Sequence, residues 1–167
     1  MTNKISTIIP MKVLLRILLG LLAIAGIVVS SLALRIHFMD PAEAPPCAVT
    51  EKWDCGTVNH SRFAVFPPSP KPTWDNPNPP IGHSVPVAGI GIAGYAVMLL
   101  LILFGRDRLF LLAALGGCGF AGYLSSMEAN VLEKWCIYCV WSQSIVAAMV
   151  LLGIVNVALC SRRQRYY

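Results

Sequence analysis

Apolar residues run through this chain as four long blocks separated by polar links, without the strict alternation of a half-buried strand. The blocks cover about 13–34, 85–104, 109–127 and 136–159. Each is close to the roughly 20 residues with which a helix crosses a bilayer. The pattern predicts an all-α membrane protein, a bundle of four transmembrane helices forming a single membrane domain over 1–167. The one long polar stretch, 35–84, is expected as a loop or cap outside the membrane between the first and second helices. Its second half, 67–86, holds eight prolines, which remove backbone donors and favour extended chain. That stretch reads as a stiff spacer that also covers the membrane mouth, with Phe66 and Trp74 suited to the interface.

Composition agrees with the pattern. The chain is 56% hydrophobic and 13% charged, against about a quarter charged in soluble domains. The formal charge of +5 does not imply nucleic acid, because the bases gather at the ends of the apolar blocks. Lys4, Lys12 and Arg16 precede or begin the first, Arg106 and Arg108 lie between the second and third, and Arg162, Arg163 and Arg165 follow the fourth. These hold eight of the thirteen Lys and Arg, while every acid except Asp107 falls on the opposite side. The positive-inside rule then puts both termini in the cytoplasm and the loop outside. The first block resembles a signal peptide but exceeds the roughly 7–15 residues of a signal core, so it is expected to stay as an anchor.

Glycines change the picture only by exclusion. Gly89, Gly91 and Gly94 match the dinucleotide-binding spacing, but that motif needs a strand before it in a soluble βαβ unit. Inside an apolar span, these and Gly116, Gly117, Gly119 and Gly122 instead let helices approach closely.

The candidate chemistry lies in the cysteines. Of six, Cys47 and Cys55 lie in the outer loop, and Cys136 and Cys139 open the fourth block, so all four share one side of the membrane. Cys136 and Cys139 are three apart at a helix start and share a face. The helix N-terminus favours a thiolate, the attacking species in disulfide exchange. Lys134 would assist and Glu133 oppose. Cys47 and Cys55 sit in a polar segment where a disulfide is expected to be exposed and labile. Static disulfides are one alternative. A zinc site using His60 or His83 is another, though no second half-site completes it. Cys118 and Cys160 read as packing residues. His37, His60 and His83 could relay protons, or simply be solvated side chains.

The combination resembles the vitamin K epoxide reductase family over about residues 15–160. The resemblance rests on Cys47 and Cys55 with seven residues between them, Val58-x-x-Ser61-Arg62-Phe63, the Pro86, Gly91, Tyr95 pattern, and Cys136-Ile137-Tyr138-Cys139. The disulfide-forming membrane oxidases have the same four helices and two cysteine pairs, but carry Cys-x-x-Cys in the first outer loop. The resemblance implies an electron relay. A separate thioredoxin-like protein, periplasmic or lumenal, reduces Cys47. Cys55 passes the electrons to Cys136, and the Cys136–Cys139 pair, with Cys139 nearest the acceptor, reduces a quinone (ubiquinone, menaquinone or vitamin K). Ser61 and Gln143 would hydrogen-bond the quinone, and Phe63 and Tyr95 would pack its ring. Where the animal enzymes have an asparagine and a tyrosine beside vitamin K, this chain aligns Val87 and Gln143. That departure favours a thiol:quinone oxidoreductase of a bacterial inner membrane, supporting disulfide formation. A vitamin K quinone and epoxide reductase of the ER membrane is the alternative within the family. A non-catalytic membrane protein with structural disulfides is the alternative of another class.

Overall fold

The computed structural model describes residues 2–40, 47, 50–69 and 84–164, with side chains described from 11 to 159 within these. The expectations for Trp74, His83 and most of the proline-rich stretch lie outside the described residues, as does the side chain of Cys160. In chain order the elements are α1 (Thr2–His37), α2 (Cys55–Asn59), β1 (Val65–Phe66), β2 (Val85–Pro86), α3 (Val87–Leu103), α4 (Asp107–Met127), a π-helical turn (Glu128–Leu132) and α5 (Ile137–Gln164). Helix α1 packs on α3 and α5, and α4 packs on α3 and α5, so the four long helices close a ring.

Three helical stretches are long and apolar enough to cross a membrane: Met11–His37, Asp107–Leu132 and Ile137–Leu159. Helix α3 is a shorter apolar helix of 17 residues. At 1.5 Å per residue it is roughly 26 Å long, near the lower limit for a span. The second apolar block is thus longer than its helix. Val85 and Pro86 pair antiparallel with Phe66 and Val65, and the helix starts only after Pro86, which has no N–H to donate. The Val87 N–H bonds the Ala64 carbonyl at 2.8 Å, tying the head of α3 to the outer loop.

The third block errs the other way, because its helical path runs on through the π-helical turn to Leu132. Glu128 was expected outside the membrane helices, yet it lies within this stretch and is buried. The polar residue marked the end of the apolar run but not the end of the helix. Asp107 is the acid that breaks the charge pattern. It heads α4 and is ion-paired with Arg16 of α1 at 3.1 Å. Gly105 closes the α3–α4 turn in the left-handed region, at φ 68°, where a side chain is disfavoured.

The ring is filled by Leu19, Ala23, Tyr95, Met98, Phe110, Ala114, Val146 and Met149. Its outer surface is apolar too: Leu14, Leu21, Leu100, Leu112 and Leu151 are all exposed. Helices that are apolar on both faces belong in lipid. Close approach is needed at one point in particular. A Cβ on Gly26 would overlap the Tyr95 ring. That ring cannot withdraw freely, because its hydroxyl donates to the Ser142 carbonyl at 2.7 Å. Gly26→Ala is therefore expected to destabilise the fold by roughly 1–3 kcal/mol, seen as a lower unfolding temperature in detergent. Gly20→Ala, whose Cβ would meet only Leu99 at 3.8 Å, serves as the near-silent control.

Candidate redox site

The outer loop is folded down onto the head of α5 by backbone pairing. The Trp135 N–H bonds the Lys52 carbonyl at 2.8 Å, and the Asp54 N–H bonds the Trp135 carbonyl at 3.0 Å. The Trp53 and Trp135 rings lie 6.4 Å apart over this junction. Lys134 donates to the Glu51 carbonyl. Its contact is thus with the loop, and Glu128, not Glu133, is the acid that bears on Cys136.

Asp54 then caps α2. Its carboxylate accepts the Thr57 hydroxyl at 2.6 Å and the Thr57 N–H at 3.0 Å. These bonds place Cys55 at the start of the short helix. They hold the Asp54 carboxyl below its usual value of 3.8, the hydroxyl bond contributing most. A depressed carboxyl stabilises the fold above its unfolded pKa, and that contribution is lost as pH falls through the folded pKa. Asp54→Ala is expected to cost roughly 0.5–2 kcal/mol at neutral pH. Unfolding of the variant and the parent, followed side by side, should converge as the buffer is acidified below the usual carboxylate range.

Cys47 and Cys55 form a disulfide, with Cα atoms 5.9 Å apart. The expectation that this bond is exposed is corrected: Cys47 is 4% and Cys55 0% exposed. The segment is polar, but Ile36, Val58 and Cys136 pack around the pair, with Met39, Leu132 and Ile137 beside them. Polarity of the loop sequence did not register this apolar cover, because most of it comes from the end of α1, the π-helical turn and the head of α5.

Cys136 is free, 0% exposed, and sits immediately before α5, its carbonyl accepting the first helical bond from Val140. Cys139, also free, lies in the first turn and hydrogen-bonds Cys136 through its side chain. That bond lowers the Cys136 thiol pKa. Burial raises it, the Cys139 backbone N–H and the Asn59 amide lower it further, and the Glu128 carboxyl opposes. The net direction is down, which favours the thiolate.

Asn59 joins the two pairs. Its amide donates to the Cys55 carbonyl at 2.8 Å and to Cys136 Sγ at 3.4 Å. Glu128, 4% exposed, accepts the Cys136 N–H at 3.2 Å and hydrogen-bonds the Cys139 side chain. Neither residue was singled out from the sequence. Asn59 is four residues after Cys55, the same helical face, which is a usable signal. Glu128 leaves a weaker one, an acid followed by the apolar Val131 and Leu132 eight residues before Cys136.

Cys139 opens on a cavity of about 380 Å³ inside the helix ring. Most of its lining is apolar, including Val87, Ala113, Gly117, Phe120 and Leu124, and Asn59, Glu128 and His37 also reach it. All four residues expected to contact a quinone are in the lining: Ser61, Phe63, Tyr95 and Gln143. Their polar groups are not equally free. Ser61 donates to the Val58 carbonyl at 2.8 Å, and Tyr95 donates to the Ser142 carbonyl. Gln143 accepts from Ser125 through its carbonyl oxygen, and its amide N–H groups have no partner among the described residues. Arg62 stacks on Phe63, 4.9 Å from the ring centroid. The His37 ring bonds the Asn59 carbonyl at 2.7 Å, whereas His60 is exposed and lies against the Gly56 and Met39 carbonyls. Phe66 is exposed and packs edge-on to Phe120 of α4. Cys118 packs against the main core. No group of three or more His, Cys, Asp or Glu converges as a metal site among the described residues.

Compared with known families, residues 17–154 match the model of the vitamin K epoxide reductase family. The chain belongs to this family. The match spans both cysteine pairs, the cavity and Glu128. A comparison with curated proteins gives no match. Membership makes the chain an integral membrane protein with a redox function, of a family that uses quinones.

Proposed function

We propose that this protein is a membrane thiol:quinone oxidoreductase that takes electrons from a separate thioredoxin-like protein and passes them to a quinone, supporting disulfide formation. The observation that carries the reading is the buried cluster that puts Cys55 beside Cys136, with Cys139 opening on an apolar cavity. A cavity of this volume, with a few convergent polar groups, suits a quinone ring. In this reading the loop pair and the inner pair act in series, carrying electrons from a donor outside the fold to an acceptor in the cavity.

The steps balance as follows. The donor dithiol reduces the Cys47–Cys55 disulfide, and the donor leaves oxidised. A Cys55 thiolate attacks an inner disulfide at Cys136, releasing Cys139, and Cys47 then resolves the mixed disulfide. The inner pair is now a dithiol and the loop pair a disulfide again. Quinone takes two electrons and two protons from the inner dithiol, giving quinol and restoring the Cys136–Cys139 disulfide. Because Cys47 is buried, its apolar cover must open before a protein donor can reach it.

The basic helix ends support a reading with the termini in the cytoplasm and the redox end outside, and we take the membrane to be a bacterial inner one. Val87 in the cavity wall and Gln143 beside Ser125 favour this reading over epoxide reduction. The test uses purified protein in lipid, a reduced thioredoxin-like donor and a quinone, following donor thiols and quinol together. One quinol per donor disulfide is the expected result. Donor oxidation without quinol, or no turnover with ubiquinone, menaquinone or vitamin K, rejects the proposal.

A further inference from the structure

The thiol-to-quinone reaction moves two protons as well as two electrons, and the cysteines alone do not explain the proton path. Inside the cavity one side chain is suited to it. Glu128 is a 4% exposed carboxyl on the first residue of the π-helical turn, a distortion often found at functional sites. One of its oxygens holds the Cys136 N–H at 3.2 Å, and its side chain also hydrogen-bonds Cys139. It faces the same cavity as Gln143 and Tyr95. No Lys or Arg is paired with it among the described residues. The titratable groups around it are Cys136, just before α5, and Cys139 in its first turn, with His37 from α1, Tyr95 from α3 and Tyr138 from α5 lining the same cavity.

A purely structural acceptor for the Cys136 N–H could be an amide or a hydroxyl, which bury at lower cost than an unpaired carboxyl. A carboxyl adds a proton that can be given and taken back. We propose that Glu128 is the catalytic acid–base group that carries thiol protons from the inner cysteine pair to the quinone. This role rests on the thiol:quinone reading above. Overall, two S–H bonds break while one S–S bond and two O–H bonds form. Protonated Glu128 gives its proton to a quinone oxygen as the sulfur electrons arrive, and takes the proton that Cys139 releases. It passes that proton to the second oxygen and is restored by the proton of Cys136. The glutamic acid ends as it began, so no outside proton donor is needed.

Glu128→Gln keeps size and the acceptor for the Cys136 N–H but cannot carry a proton. The two half-reactions are timed separately in single turnovers: donor to oxidised protein, and reduced protein to quinone. Expected is a loss of roughly 10²–10⁴-fold in the quinone half-reaction, with a clearly smaller fall in the donor half-reaction, which delivers no proton to quinone. Glu128→Asp, with its carboxyl drawn back by one methylene, retains more quinone reduction than the glutamine variant. Wild type supplies a second reading should the glutamine variant fail to fold: a solvent deuterium isotope effect on the quinone step. A wild-type rate in Glu128→Gln overturns the role, as does an equal fall in both half-reactions or the absence of the isotope effect. If wild type itself does not reduce quinone, the thiol:quinone reading fails first and takes this role with it.

Discussion

Cys139→Ala is expected to end quinone reduction, with a fall of roughly 10⁴-fold or more, the scale seen when an essential nucleophile is removed. The inner pair is the only one of the two that reaches the cavity. Cys139 lines it, while Cys136 is fully buried behind it. Without Cys139 no inner disulfide can form, so Cys136 has no oxidised partner to offer Cys55. The loop disulfide remains intact, so the donor can still reduce it once. The variant should therefore oxidise about one donor per protein molecule and then stop, a burst without turnover. The checks are the donor thiol count and quinol absorbance in the same sample. Continued turnover at the wild-type rate would take the acceptor away from α5 and return the inner cysteines to a structural role.

How much of this was legible in the sequence differs from residue to residue. The apolar blocks gave the long helices, because a run of about 20 apolar residues has few alternatives to spanning lipid. The cysteine pairs stood out as well, since their positions relative to the blocks put them at one end of the bundle. Burial of the loop disulfide was not legible. Cys47 and Cys55 lie among Glu51, Lys52 and Asp54, and what covers them comes from Ile36 on α1 and the residues around Cys136, contacts that local polarity cannot report. Glu128 was lost for a related reason. A carboxyl at the end of an apolar run normally marks the exit from the membrane, and only the continuation through the π-helical turn reverses that inference. Pro86 worked in the opposite sense, since a residue without an N–H could have limited the second helix from the start. Ser61, Phe63, Tyr95 and Gln143, named through the family pattern, fall in the cavity lining, whereas Asn59 and Glu128, which share it, were not named. Which of the hydrogen-bonding groups are already committed was not legible, because Tyr95 and Ser61 bond backbone carbonyls that no motif encodes.

The sharpest separation of the two stages comes from Cys55→Ala. This change removes the loop disulfide and the thiol that stands next to Cys136, but leaves Cys136, Cys139, Glu128 and the cavity in place. A protein donor is far too large for a cavity of about 380 Å³, so it depends on the loop pair to carry its electrons inward. A small membrane-permeant dithiol is not so limited, since it can reach Cys139 through the cavity and reduce the inner disulfide directly. Quinone reduction driven by the protein donor is therefore expected to fall by roughly 10²-fold or more. Reduction driven by the small dithiol should stay within about twofold of wild type. The comparison is internal, with one variant, one quinone and two donors, so a general loss of folding cannot imitate it. Equal loss with both donors would mean that Cys55 holds the site together and does not relay electrons. No loss with either would mean that a protein donor reaches α5 without the loop. Loss with the protein donor alone requires two stages in series, and it places their junction between Cys55 and Cys136, where Asn59 already bonds both residues.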